Sequence, residues 1–328
     1  MPRILIEEDL NQLLRSARMG AVVLSWAENG FFRALLDGPK NLADLEGDLR
    51  ALETTAPILV QLGLLEMDGP CAMLASSTRS FLESGVFAQS SASGFLGELS
   101  RLPDVLREGG PVRDSSGVKR NTEIGVRVQE PDSVRSFMDM LDRNSVDSAQ
   151  FTAQVIHRRV PPGGAVLDLG GGHGRYGREL ADLGHSAALF DMPPCIAYAR
   201  DKHADKLTYL EGDFFHDDLG GPYDAILLSN IVHGLGPEKN AALLRRARKA
   251  LSPGGYIVLK DMFIDSTGCS PDRAVVFGLT MLMYTEHGRS YTFDEVETIS
   301  ASSGLMIDGT EFSSVGQFSL VFLRADES

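Results

Sequence analysis

The 328-residue chain is short of several residue types, and each shortage removes a class of function. It has three cysteines, Cys71, Cys195 and Cys269, an odd number set far apart. They form neither a metal-ligand spacing nor a disulfide framework, which favours a reducing, cytoplasmic setting. Basic residues are scarce, 31 Lys and Arg against 45 Asp and Glu, for a net charge of −14. That balance argues against broad contact with nucleic acid or an anionic membrane, because phosphate binding needs a basic face. No apolar run approaches the roughly 20 residues that span a bilayer. The start, MPRILIEEDL, has no apolar stretch of the kind a secretory signal needs. What remains, 43% hydrophobic and 23% charged residues, is the composition of a globular protein with one large or two ordinary domains.

The first hundred residues read as helices. Leu10, Leu13, Leu14, Ala17, Ala21, Leu24 and Ala27 recur at three- and four-residue spacing and make one apolar face. A helix–turn–helix follows, its second helix ending near Gly63, and then a hairpin, LLEMDGPCAML, turning at Asp68-Gly69-Pro70. That order is a winged-helix pattern, which serves either DNA binding or dimerisation. Residues 1–110 carry nine basic against fifteen acidic side chains, a net of −6, and ETTAPILVQLGLL has no Arg or Lys for phosphates or base edges. A DNA-binding regulator is therefore the weaker reading. The Ser- and Gly-rich stretches SGVFAQSSASGF and REGGPVRDSSGVKRN read as linkers, and a helical segment resumes at Pro131.

From Gly164 onward short apolar runs alternate with helical ones: AVLDLG, SAALFD, LTYLEGD, YDAILLSN and YIVLKDM. Such alternation means a buried parallel sheet in an α/β domain. NAALLRRARKAL reads as a helix closed by Gly254-Gly255. GLMIDGTEF and QFSLVFLRA leave no room for a helix between them and predict an antiparallel edge.

The stretch VLDLGGGHGRYGREL puts Gly170, Gly171, Gly172 and Gly174 between the first of these strands and a helix, so backbone can approach a ligand closely. A triphosphate loop would end in Lys-Ser or Lys-Thr, which is absent, and a dinucleotide register can only be forced. Asp168 at the strand end repels pyrophosphate but can anchor the ammonium of an amino acid. Asp191 ends the next strand, where a carboxylate takes ribose hydroxyls. Asp213 beside Phe214 suits adenine, one accepting from its amino group and the other stacking. The ligand these groups favour is cationic and free of phosphate, which fits S-adenosylmethionine.

The ordered motifs LDLGGGHG, FDMP, GDFF, YDAILLSNIVH and LSPGGYIVLKD resemble those of class I S-adenosylmethionine-dependent methyltransferases. The chain is most similar to the caffeic-acid-type small-molecule O-methyltransferases and their bacterial natural-product relatives, over nearly its whole length. The resemblance implies an α/β fold, a Rossmann-like seven-stranded, mostly parallel sheet with an antiparallel C-terminal hairpin. It adds an N-terminal all-helical winged-helix dimerisation domain, and hence a homodimer. The expected boundaries are 1–100 for that domain, 101–150 for linker and lid helices, and 151–328 for the catalytic domain. It assigns Asp168, Gly170, Gly171 and Gly172 to the methionine end of the cofactor. Asp191 and Met192 go to ribose and adenine, and Asp213 and Phe214 to adenine. FMDMLDRNS resembles a helix lying over the methionine, which puts Asn144 and Ser145 near it. Ser229 falls where the family places a Lys that contacts the cofactor.

His233, three residues past YDAILLSN, matches the family's catalytic base, but Gly234 and Leu235 replace the usual Asp and Trp. Asp261, at the end of the neighbouring strand YIVLKDM, matches the family's second catalytic acid, and a third acid is replaced by Ser290. His233 and Asp261 are the expected catalytic pair for methylating a small-molecule acceptor, with no metal. A related subgroup C-methylates 2-oxo acids through a metal, for which His233 and His287 would be the pair. Tyr176 sits where its ring either faces the sulfonium or packs between helix and sheet. A phenol there also permits an acceptor-free reaction, cyclisation of S-adenosylmethionine to azetidine-2-carboxylate with release of methylthioadenosine. Phe277, Met281 and Met283 match the apolar lining of the family's acceptor pocket. His157, His185, His203 and His216 read as surface residues, and His173 as a loop residue important for its backbone.

Overall fold

The structure is a computed structural model and describes residues 7–83, 95–113, 117, 131–315 and 318–326. The two Ser- and Gly-rich linkers lie largely outside the described residues. The chain divides into two compact units, Met1–Pro103 and Asp104–Ser328.

The first unit contains α1 (Glu7–Glu28), α2 (Phe31–Ala34), α3 (Leu49–Gln61), α4 (Ser76–Glu83) and α5 (Phe95–Leu99). Asp48 caps α3 by accepting from the Ala51 N–H, and Gly63 follows the helix with a φ of 70°. Trp26, Phe32, Leu35, Leu52, Leu59 and Leu65 form the core. The unit is not all-helical. β2 (Leu65–Asp68) and β3 (Cys71–Leu74) make the hairpin, and β1 (Lys40–Asn41) pairs with β3 to give a three-stranded sheet. A two-residue strand carries no periodicity, so only the partner strand reveals it. The second half of α1 packs in this core, whereas Leu10, Leu13 and Leu14 are 53%, 55% and 52% exposed.

Helix α6 (Leu102–Glu108) crosses the division between the units. The second unit then runs through α7 (Pro131–Asn144), α8 (Val146–His157), β4 (Ala165–Leu169), α9 (Arg175–Asp182), β5 (Ser186–Asp191), α10 (Pro193–His203) and β6 (Thr208–Glu211). It continues with β7 (Tyr223–Ser229), α11 (Pro237–Lys249), β8 (Leu251–Asp261), α12 (Asp272–Tyr284), α13 (Phe293–Ala301), β9 (Leu305–Phe312) and β10 (Ser319–Ala325). The sheet order is β6-β5-β4-β7-β8-β10-β9. Five strands run parallel, and β10 pairs antiparallel with both β8 and β9. The order reverses between β4 and β7, and the crevice outside the carboxyl ends of strands at such a switch point is where open α/β sheets bind ligands. Each face carries its own core. Leu167, Phe190, Ile226, Leu228 and Leu259 pack under α11 and α13, and Val166, Leu189, Leu227, Val258 and Phe322 pack under α8, α9 and α10.

Two expectations are corrected. Gly254 and Gly255 do not close α11, which ends at Lys249 with Ala250 as its cap. They lie inside β8, where the pairing with β7 slips between Tyr223 and Ala225. The Ala250 carbonyl accepts from the Tyr223 N–H, so the helix stops where the sheet claims the chain. The histidines are also more buried than expected. His185 is 6% exposed and its Nε2 lies 2.9 Å from His157 Nδ1, while His203 Nε2 lies 2.9 Å from the His173 carbonyl. Of the four read as surface residues, only His216 is fully at the surface.

Among the described residues no helix is long and apolar enough to cross a membrane. Phe322 tests what holds the C-terminal hairpin to the sheet. Its ring is 0% exposed, meets Tyr256 edge-on at 5.8 Å and lies under the Arg159 guanidinium at 4.2 Å. Phe322→Ala is expected to cost about 3–5 kcal/mol in urea unfolding.

Candidate active site

The glycine loop links β4 to α9, with Gly170, Gly172 and Gly174 at φ values of 70°, 51° and 75°. Side chains would strain these positions. Gly171 is fixed by crowding instead: a Cβ there would fall 2.3 Å from the Asp168 carboxylate. Asp168 is 0% exposed, and its Oδ2 accepts from the Gly177 N–H at 3.0 Å while Oδ1 has no partner. Burial raises its pKa to about 7, against the Gly177 hydrogen bond and with the help of Asp191. A cation beside Oδ1 would reverse that shift.

Asp191 lies beside the loop, 3% exposed, accepting from the N–H groups of Gly172 at 2.8 Å and Met192 at 2.7 Å. Burial raises its pKa despite those bonds. The buried Cys195 thiol also reaches this carboxylate, which still keeps acceptor capacity for a ligand hydroxyl. Asp213 is partly exposed and engaged locally, with Oδ1 accepting from the Phe215 N–H and Oδ2 2.8 Å from His216 Nδ1. Phe214 packs at the edge of the core, near the place a Cβ on Gly170 would occupy.

Helix α7 covers the loop. Met138 is buried and its sulfur lies 3.1 Å from where a Cβ on Gly172 would be. Arg175 at the start of α9 donates through Nε to Asp142 Oδ1 at 2.6 Å, tying that helix down. Ser145 is buried with its hydroxyl donating to the Asp142 carbonyl, whereas Asn144 is exposed. Tyr176 is 3% exposed and packs in the core, its hydroxyl 2.8 Å from Ser148 Oγ. Both observations favour its packing role.

His233 stands on the same rim, in a helical turn after β7. Its Nδ1 lies 2.8 and 3.0 Å from the two carboxylate oxygens of Asp261, which is 1% exposed. The missing acidic neighbour in sequence is thus replaced across the sheet, because β7 and β8 are adjacent and parallel. Burial works to raise the Asp261 pKa, but His233 and the Met262 N–H outweigh it and hold the carboxyl low. An ionised carboxylate only accepts, so Nδ1 carries the proton and Nε2 is left as a base. The imidazole meets the Phe277 ring edge-on at 4.9 Å, and Met281 and Met283 are buried on the same helix, α12.

Ser290 is structural, its hydroxyl donating to the Ala274 carbonyl. His287 is exposed, on a loop whose Arg289 N–H donates to the His233 carbonyl. Among the described residues no group of three or more metal-binding side chains gathers.

Sequence reasoning missed three residues. Asn240 donates to the Val232 and Leu235 carbonyls, and Tyr291 donates to Leu235, so both hold the turn that carries His233. Lys260, on β8, is 5% exposed and lies in register with Ser229. A lysine inside an otherwise apolar strand was the available signal.

Residues 102–306 match the model of the O-methyltransferase domain, and the chain belongs to that family. Acetylserotonin O-methyltransferase of Mus musculus is 33% identical over 150 residues, 42% of this chain. The match spans only 38% of that relative's length. The tetracenomycin polyketide synthesis 8-O-methyl transferase TcmO of Streptomyces glaucescens is 26% identical over 302 residues, 87% of each chain. Among solved structures, human N-acetylserotonin methyltransferase in complex with SAM superposes with a TM-score of 0.77, at 22% identity over 99% of each chain, a likeness of fold.

The loop histidine gives a pH test. Burial lowers the His173 pKa to about 4, opposed by Asp142 and reinforced by Arg175, His203 and Lys260. His185 is lowered as well, by burial and by His157. A histidine whose folded pKa lies below its unfolded value of about 6.5 stabilises the fold while neutral. That stability is full above about pH 6.5 and is lost as pH falls towards 4. The melting temperature is expected to drop across this window, and His173→Gln to flatten the drop.

Proposed function

We propose that the chain is an S-adenosylmethionine-dependent O-methyltransferase acting on the hydroxyl of a small, natural-product-type acceptor. The observation that carries this reading is the His233–Asp261 pair on the rim that also holds Asp168 and the glycine loop. Asp168, with its unpartnered oxygen, suits the cofactor's ammonium, and the loop beside it excludes side chains. Asp191 and Met192 serve the ribose and adenine, with Asp213 and Phe214 at the adenine edge. Ser145 and Asn144 close the methionine end. The cofactor supplies a methyl group activated by a sulfonium.

The chain's own residues do the rest. Nε2 of His233 takes the proton of the acceptor hydroxyl, and Asp261 stabilises the imidazolium that results. Phe277 orients the imidazole through an edge contact and walls the acceptor side together with Met281. Family membership supports the reaction class, and relatives named for O-methylation of 3-amino-4-hydroxybenzoate and of a tetracenomycin polyketide support a small hydroxylated acceptor.

The same reading makes the protein a cytoplasmic homodimer through its N-terminal unit. The exposed Leu10, Leu13 and Leu14 provide an apolar stripe on α1 for a second copy. Sedimentation velocity is expected to show a dimer, and Leu13→Glu to shift it towards monomer; a monomeric wild-type chain would remove this part of the proposal.

Turnover with a panel of phenols, followed by mass spectrometry, tests the reaction. Adenosylhomocysteine is expected only when an acceptor is present. Methylthioadenosine formed from the cofactor alone would overturn methyl transfer in favour of cyclisation. His233→Ala is expected to keep cofactor binding and to lose turnover by about 10²–10⁴-fold.

A further inference from the structure

Three polar side chains form a row on the sheet face covered by α8 and α9. Strand alternation puts Asp168 of β4, Ser229 of β7 and Lys260 of β8 there, because their neighbours Leu169, Leu228 and Leu259 belong to the opposite core. All three sit at or next to the carboxyl ends of their strands. Each lacks something. Asp168 Oδ1 and Ser229 Oγ are buried without a hydrogen-bond partner. The Lys260 ammonium has no carboxylate within ion-pair distance among the described residues.

The lysine's contacts are neutral ones. Its Nζ donates to Asn230 Oδ1 at 3.1 Å and stands 4.5 Å from the Phe318 ring centroid and 5.4 Å from that of Tyr176. Two aromatic faces and one amide satisfy a buried cation only in part. Asn230 is exposed and held at a φ of 58°, a strained position for a residue other than glycine. The ammonium is therefore tied to a residue at the exposed end of β7. Tyr176, over whose ring the ammonium stands, also meets His173 of the glycine loop at 5.9 Å between ring centroids, which puts the charge near that loop.

We propose that Lys260 binds the α-carboxylate of the cofactor's amino-acid end while Asp168 binds its ammonium, with the Ser229 hydroxyl between them. The assignment rests on the cofactor reading above. β4 and β8 are separated by two strand spacings, roughly 10 Å, and Lys260 lies about two residues further along than Asp168. A carboxylate side chain, an amino-acid zwitterion and an extended lysine together span that gap, with opposite charges meeting at each end. Lys260 thus supplies, from the neighbouring strand, the cation that position 229 lacks. It is a binding residue that selects ligands carrying a carboxylate.

Isothermal titration tests this without turnover. The ligands are adenosylhomocysteine and its decarboxylated analogue, which keeps the amine. Wild type is expected to bind the first about 10- to 100-fold more tightly than the second. Lys260→Met is expected to lose most of that difference by weakening adenosylhomocysteine alone. Equal weakening of both ligands, or none, would show a packing role and overturn the assignment. Lys260→Gln is the second variant if Lys260→Met fails to fold. The wild-type comparison decides by itself if neither folds, because equal affinities overturn the assignment. A wild type that binds neither ligand would instead sink the cofactor reading, and this assignment with it.

Discussion

Ionisable groups buried at the carboxyl ends of parallel strands are the constraint on which the rest of this structure depends. Asp168, Asp191, Lys260 and Asp261 are all at most 5% exposed. A charge in such a place is costly unless something nearby compensates it. The compensation differs from one residue to the next, and the differences divide the site into parts with separate duties. Asp261 is paired with an imidazole and two backbone N–H groups, so it stays ionised. Asp191 has two backbone N–H groups and the Cys195 thiol. Asp168 has one, and its pKa climbs accordingly. Lys260 has only an amide oxygen and two rings. The least satisfied members, Asp168 and Lys260, are the ones most in need of a ligand.

The scaffold makes those burials possible. Five parallel strands, covered on both faces, put their carboxyl ends on one rim, and the reversal of strand order between β4 and β7 opens the crevice there. Alternation then sorts the side chains. Lys260 and Asp261 are adjacent in sequence yet serve opposite faces, one turned towards the glycine loop and the other towards His233. A single strand end thereby presents a cation to one face and an anion to the other without pairing the two charges. The turn that carries His233 is held independently, by Asn240, Tyr291 and the Arg289 main chain.

Much of this is legible in the sequence. The strands β4 to β8 announced themselves as short apolar runs, and the close spacing of the last two strands predicted the hairpin. Asp168, Asp191 and the glycines followed from their places after those strands. The failures have physical causes. Gly254-Gly255 looked like a helix stop, but the sheet claimed the chain earlier through the Tyr223–Ala250 hydrogen bond. β1 is two residues long and exists only because β3 pairs with it. The burial of His185 is invisible in the sequence, because a lone histidine in a loop carries no signal of the second imidazole it meets.

The sequence by itself determined the α/β class, the strand ends that form the rim, and the residue types placed there, since periodicity and glycine spacing are local properties of the chain. Beyond the His233–Asp261 pair that the resemblance already implies, tertiary structure alone decided which of those residues meet. Asp261 becomes the partner of His233, and Lys260 comes level with Ser229, because β7 and β8 lie side by side in one register. Pairing between strands joins positions 28 to 31 residues apart, as in His233–Asp261 and Ser229–Lys260. No spacing rule along a single strand contains that information.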